Sequence, residues 1–363
     1  MAPVPPARIV HAANFVRNKL HNLSRRMAPA PVQVLEIAGG FIDSQVVYAS
    51  TKLGIPDSLA SGPRTAADLA KDVDANPDAV HRLLRAAATI GLFSLDSGGR
   101  FGLTSLSETL RSDAEPSMRP VVLMLGDPSY WGPWAELTYS VRTGKQGAEK
   151  VFGKPMWEYM ADNAEFDAVF NNAMTALTTL DWPTVAAVYD FTPFDTIVDI
   201  GGGHGQLLKL ILDSAPDSTG ILFEQESVIE QAAEFLGECG SLPRCTLECG
   251  SFFDTVPLGA DLYVMRRVIH DWDDEDAIAI LSTIRRSIPD HGTLLIIESV
   301  VPQDNSPHFA KMLDLDMLIF AGGRERNEAQ FRALLNRGGF EVSRVIPTIS
   351  TLSLIEAKPR LKK

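Results

Sequence analysis

The run Asp199-Ile200-Gly201-Gly202-Gly203-His204-Gly205 overlaps the apolar stretch 196–200 and leads directly into Leu207-Leu208-Lys209-Leu210-Ile211. A strand, a glycine turn and a helix therefore follow one another, which is the repeating unit of α/β folds. Glycines at alternate positions let the backbone take positive φ and approach a ligand closely, while an acid at the strand end accepts hydrogen bonds from a cation or a hydroxyl. Such a turn suits a nucleoside-like ligand. A dinucleotide turn, G-x-G-x-x-G, needs a third glycine three positions after Gly203, and Gln206 stands there. That departure disfavours a nicotinamide-dependent oxidoreductase.

Strand-like segments recur at 196–200, 220–224, 245–250, 260–265, 292–298, 341–347 and 352–357, with helical stretches between them. Strands alternating with helices predict a mainly parallel, doubly wound sheet, in which ligands gather at the carboxyl ends of the strands. Glu224 ends the second of these segments, at the right distance beyond the glycine turn to bond a ribose diol. Gly250-Ser251-Phe252-Phe253 closes the third and offers a hydroxyl and an aromatic face to adenine, with one of the two phenylalanines expected in the core.

Ahead of this portion, residues 34–53 carry apolar positions at helical spacing, and Gly54-Ile55-Pro56 stops the pattern. Thr65 reads as an N-cap, residues 77–92 as a second helix, and 93–101 as a hairpin turning at Asp96-Ser97-Gly98-Gly99. Helix, helix and β-wing suggest a winged-helix module. DNA reading by its second helix is opposed by the apolar Leu83, Leu84, Ala86, Ala87, Ala88 and Ile90, and by a formal net charge of −13, which repels nucleic acid and anionic membrane alike. Dimerisation or packing is the expectation. Three cysteines without C-x-x-C spacing point to reduced thiols in the cytoplasm, and no apolar run is long enough to span a membrane. Residues 1–33 hold basic residues and no acid; an organelle presequence is weighed there against a proline-rich start followed by a surface or dimerising helix.

The order acid-x-Gly-x-Gly-x-Gly resembles the first motif of class I S-adenosylmethionine (SAM) dependent methyltransferases. Further motifs follow in order: Arg267-Val268-Ile269-His270-Asp271-Trp272-Asp273-Asp274, then Glu298 after the next strand, then Gly322-Gly323-Arg324-Glu325-Arg326. From about residue 34 onward the chain is similar to dimeric small-molecule O-methyltransferases, typified by plant caffeic-acid-type enzymes and bacterial polyketide and antibiotic tailoring enzymes. The resemblance implies a class I methyltransferase Rossmann-like doubly wound sheet with an N-terminal helical, winged-helix dimerisation domain. The expected division is 1–115 for dimerisation, 116–183 as a helical connection lining the acceptor pocket, and 184–363 for catalysis.

By the same resemblance the cofactor is SAM, with S-adenosylhomocysteine as product, held by Asp199, Gly201, Gly203, Glu224, Gly250, Ser251, Phe252 and Arg266. Glu224 stands where relatives usually have aspartate, and Ser251 where they have an acid. Met124, Phe166, Phe170, Met174, Asp271 and Met317 fall where relatives contact the acceptor, and Arg267 replaces a tryptophan of plant enzymes, so that it either favours an acidic or polyphenolic acceptor or faces solvent. His270, near its ordinary pKa of roughly 6.5, suits the general base that takes a phenolic proton, with Glu298 and Glu325 orienting it; no metal is required. Competing readings remain: Asp271 or Asp273 as a helix cap, and Glu325 in a surface ion pair with Arg324 or Arg326. At the level of function the alternatives are N- or C-methylation, SAM-assisted hydroxylation or decarboxylation, and a ligand-sensing DNA-binding regulator.

Overall fold

A computed structural model describes residues 27–361 without interruption, together with scattered positions between 9 and 24. Most of the segment read as presequence or surface helix, 1–33, lies outside the described residues. The chain forms two compact units: one built from Gly132–Asp167 and Thr178–Lys363, the other from the described residues up to Trp131 with Ala168–Leu177.

The N-terminal unit follows its sequence signals closely. The helix Ala30–Lys52 has proline in its first turn and ends at Leu53, ahead of left-handed Gly54. Thr65 Oγ1 accepts from Asp68 N at 3.2 Å and so caps the helix Ala66–Asp72. Asn76 Oδ1 accepts from Asp78 N and Ala79 N, at 3.0 and 3.1 Å, to start the helix Pro77–Thr89. Strands β1 (Arg64–Thr65), β2 (Phe93–Leu95) and β3 (Arg100–Leu103) form a small antiparallel sheet of order β1-β3-β2. The helix Pro77–Thr89 turns Val80, Leu84 and Ala87 into a core shared with Leu69, Phe93 and Phe101, and leaves Arg82 and Arg85 outside. Its apolar face is thus used within the unit.

The larger unit is a seven-stranded sheet of β4 (Thr196–Ile200), β5 (Thr219–Glu224), β6 (Cys245–Cys249), β7 (Leu262–Arg266), β8 (Thr293–Ser299), β9 (Phe340–Pro347) and β10 (Leu352–Pro359). The spatial order is β6-β5-β4-β7-β8-β10-β9. The chain winds from β4 outward through β5 to β6, then returns to the other side of β4 for β7 and β8, and all these neighbours pair parallel. The break between β4 and β7 is a topological switch point, where the strand carboxyl ends open a crevice. Strand β10 runs antiparallel to both β8 and β9, since the short 348–351 connection only permits a hairpin. Two apolar clusters fill the unit, one centred on Ile280, Leu281 and Ile296, the other on Leu208, Ile211 and Leu295. Among the described residues no helix is long and apolar enough to cross a membrane.

Leu84 is fully buried in the N-terminal core. Leu84→Ala is expected to destabilise this unit by about 2–5 kcal/mol in chemical denaturation; a loss well under 1 kcal/mol would contradict the assigned packing.

Candidate active site

The carboxyl ends of β4, β5, β7 and β8 each deliver a charged residue, respectively Asp199, Glu224, Arg266 and Glu298. Behind β4, Gly201, Gly203 and Gly205 adopt φ of 66°, 58° and 82°, and Gly205 precedes the helix Gln206–Ser214. A Cβ on Gly202 would sit 2.5 Å from both Asp199 Oδ2 and Leu222 Cδ1, so the loop lies on the aspartate without room for a side chain. Gln206 Nε2 donates to Thr179 Oγ1 at 2.8 Å; the residue that breaks the dinucleotide pattern ties this helix to Ala164–Ala186 instead.

Asp199 is 1% exposed, and its Oδ2 has no protein partner. Burial raises its pKa to about 7, against the pull of the Leu208 N–H and of Arg266. Glu224 lies beside the glycine loop, its Oε2 3.9 Å from where a Gly201 Cβ would be. Burial lifts it to about 7, the Gln225 N–H opposes this, and the charges of Asp199 and Asp167 add to it. Gly250 follows β6, its N–H on Glu224 O at 3.0 Å, and a Cβ there would meet the Phe223 ring at 2.8 Å. Ser251 Oγ accepts from Phe253 N at 3.3 Å. Phe252 and Phe253 both pack on the core and set their edges against Trp272, at 5.8 and 4.8 Å between ring centres, so neither is a bystander.

Arg266 directs its guanidinium to Asp181 Oδ2 at 2.6 Å and Thr178 Oγ1 at 3.0 Å. Burial, together with neighbouring Arg267, lowers its pKa to about 10 in spite of Asp181. Of the two readings of Arg267, the solvent-facing one fails. It takes a left-handed φ of 53°, is 12% exposed, and reaches the same Asp181 oxygen at 3.4 Å.

His270 lies in the short turn Ile269–Asp271 and is 5% exposed. Its Nδ1 is 2.7 Å from Glu325 Oε1 and 3.5 Å from Glu298 Oε2, while Nε2 is 3.6 Å from Asp271 Oδ1. Carboxylates accept, so Nδ1 carries the proton and donates to Glu325; in the neutral ring the lone pair then sits on Nε2. Glu298 is held from behind, its Oε1 accepting from Val268 N at 3.0 Å and His270 N at 3.4 Å. The backbone N–H of Glu325 donates to Asp314 Oδ1 at 2.8 Å. Glu325 is buried on the imidazole, which overturns the surface ion pair. The helix Asp274–Ser287 is capped by Asp273, whose Oδ1 accepts from Glu275 N and Asp276 N; Asp271 is left to the site.

Burial pulls the His270 pKa down, but Glu298, Asp271 and Glu325 together outweigh it and push it to about 9, well above the ordinary value. Burial raises Glu298, with the imidazole pulling back, and raises Asp271 to about 7. His270, Glu298 and Glu325 also have one ligand atom each within 4.8 Å of the others, so the trio has the spacing of a metal-binding group. The Nδ1–H···Glu325 bond satisfies that nitrogen without an ion. Beside Asp271 opens a cavity of about 200 Å³, walled by Met156, Trp157, Trp272 and Phe320.

Among the remaining sequence candidates, Phe166 and Met317 are buried in this unit at 2% and 8% exposure. Met124, Phe170 and Met174 belong to the N-terminal unit. Sequence reasoning missed Asp181, Asp314 and a bridge from the glycine loop: His204 Nε2 donates to Gln231 Oε1 at 3.2 Å, and Gln231 Nε2 donates to Asp167 Oδ2 at 3.1 Å. No local pattern marks these partners.

The profile of the O-methyltransferase domain matches residues 134–341, and that of the O-methyltransferase dimerisation domain matches 35–113. This chain belongs to the O-methyltransferase family. It is 41% identical to phenazine O-methyltransferase PhzM of Lysobacter antibioticus over 90% of this chain and 95% of that one. The crystal structure of LaPhzM superposes with a TM-score of 0.88 at 41% identity, covering 92% of this chain and 100% of the other. NcsB1 from neocarzinostatin biosynthesis, solved with SAM and 2-hydroxy-5-methyl naphthoic acid, gives 0.75 at 33% identity over 87% and 96%. The cofactor of this O-methyltransferase is SAM, and the buried, unpartnered Asp199 oxygen beside a side-chain-free glycine cradle fits a ligand carrying positive charge and hydroxyls.

Gly202→Ala tests that cradle, because the added methyl must displace the Asp199 carboxylate. Calorimetry is expected to show SAM bound at least about tenfold more weakly; an unchanged Kd would contradict the assignment.

Proposed function

We propose that this O-methyltransferase moves the methyl group of SAM to a hydroxyl of a small aromatic acceptor, phenolic or polyketide-like, with His270 as general base. The observation that carries the reading is the imidazole's orientation: Nδ1–H is committed to Glu325, which leaves Nε2 beside Asp271, one of the residues that line the aromatic-walled cavity. When bound, SAM supplies an electrophilic methyl on a sulfonium. Asp199, Gly201, Gly203, Glu224, Gly250, Ser251 and Phe252 hold it; Arg266 acts on the same site through the Asp199 carboxylate, whose pKa its charge lowers.

Nε2 takes the acceptor's hydroxyl proton as the oxygen attacks, so that a poor protonated nucleophile becomes a good one. The imidazolium that results lies among Glu298, Glu325 and Asp271, which stabilise it. A phenol of pKa around 10 and an imidazolium of about 9 are closely matched, so the proton moves with little free-energy change. Asp271, Phe166 and Met317 contact the acceptor from the catalytic unit. The base chemistry requires no metal.

The chain acts as a homodimer through its N-terminal unit. The helix Ala30–Lys52 there exposes Val34, Leu35, Ile37, Phe41 and Ile42, each more than half accessible, and the dimerisation profile covers most of it. Cys239, Cys245 and Cys249 are all free, in keeping with a cytoplasmic enzyme.

An acceptor screen with methyl-labelled SAM is expected to place the label on oxygen of a hydroxylated aromatic. His270→Ala should lower the rate by about 10²-fold or more while leaving SAM affinity near that of the parent. Label on nitrogen or carbon, or a His270→Ala rate within a factor of two, would overturn the reading.

A further inference from the structure

Arg326 is among the largest fully buried side chains of the protein, at 1% exposure. Its guanidinium makes five hydrogen bonds. Nε and Nη2 donate to Asp274 Oδ1 at 3.0 and 2.8 Å, Nη1 to Ile269 O at 3.1 Å and Arg324 O at 3.4 Å, and Nη2 to Trp272 O at 2.9 Å. Ile269 and Trp272 bracket His270-Asp271, so one planar group grips the backbone on both sides of the turn that presents the imidazole.

The backbone around Arg326 continues the same grip. Arg324 N donates to His270 O at 2.8 Å, and Gly323 lies so close that a Cβ on it would stand 2.0 Å from that carbonyl. Val301 N donates to Arg326 O at 3.0 Å, which fastens the segment to the chain leaving β8, just past Glu298. Three stretches far apart in sequence, bearing His270, Glu298 and Glu325, therefore meet at one residue.

We propose that Arg326 is a positioning residue for His270, which sets the separation between the imidazole and its two glutamates. A guanidinium has five donors in a rigid fork and meets four acceptors at fixed angles; a lysine, with three donors on one atom, cannot reach them together. The exposed side of the clamp is Asp274, whose side chain is 47% accessible, so its ion pair adds little on its own and the carbonyl contacts carry the geometry. Arg326 touches no reacting atom. It acts by keeping Nδ1 within hydrogen-bond reach of Glu325, and this inference rests on His270 being the base.

Arg326→Lys keeps the buried charge and removes the fork, so a change in His270 titration reports geometry alone. With ¹⁵N-histidine labelling, His270→Ala identifies the His270 signal, and calorimetry with S-adenosylhomocysteine checks the cofactor site. The His270 midpoint is expected to fall by about one unit or more in Arg326→Lys, with the S-adenosylhomocysteine Kd within about threefold of the parent. An unmoved or raised midpoint would overturn the proposal. If Arg326→Lys does not fold, Arg326→Gln decides: loss of a nearby positive charge would by itself raise the midpoint, so a fall supports the clamp, and a rise or no change overturns it. The titration needs no acceptor. A fall in the midpoint alongside full methyl transfer by His270→Ala would leave the clamp standing and remove only the catalytic reading.

Discussion

One imidazole and three carboxylates share a region from which water is largely excluded, and the rest of the catalytic unit is arranged around keeping them there. Burying charge is unfavourable unless each charge finds partners. Glu298 takes two backbone N–H groups, Glu325 takes the Nδ1–H, and its own backbone is fixed by Asp314. Two oxygens, Glu298 Oε2 and Glu325 Oε2, remain without a hydrogen bond. That negative surplus favours the protonated imidazole over the neutral one and makes His270 a stronger base than a solvent-exposed histidine.

The same logic governs the other end of the crevice. Asp199 and Glu224 arrive from adjacent parallel strands and are pushed towards neutrality by burial. A ligand with a positive sulfonium and ammonium relieves that penalty on arrival, whereas a pyrophosphate would add to it. Arg266 and Arg267, both turned onto Asp181, place their cations at the end of β7 between the two acid groups and join that end to the helix Ala164–Ala186. From β5 through β4 and β7 to β8 the strand ends therefore carry acid, acid, base and acid, and the two adjacent acids beside the switch point of the sheet favour a cationic ligand.

What the sequence revealed depended on how local the signal was. The glycine turn, the Thr65 cap and the hairpin at 96–99 each rest on a few adjacent residues, and each forms where read. Glu298 was legible for a different reason: an acid in an otherwise apolar strand needs a partner. Glu325 was ambiguous because arginines flank it, and only the fold shows that Arg326 turns inward to the His270 turn while Glu325 turns to the imidazole. Arg267 was open for the same cause, since its partner Asp181 is 86 residues away. The ordinary pKa expected of His270 fails most instructively, because two of the carboxylates that raise it come from separate segments. The antiparallel end of the sheet follows from a connection too short for a crossover, which a count of strands does not convey.

The imidazole of His270, proposed as the base, is held well above its ordinary pKa by its carboxylates, so that in the free enzyme it must lose a proton before it can act. The direct test is the pH dependence of kcat/KM with an accepted phenol, which reports ionisations of free enzyme and free acceptor. Because the base form grows with pH, log kcat/KM is expected to rise with unit slope and level off near pH 9, after allowance for the phenol's own titration. A profile that is already level by pH 7, with its limb near 6.5, would contradict the account.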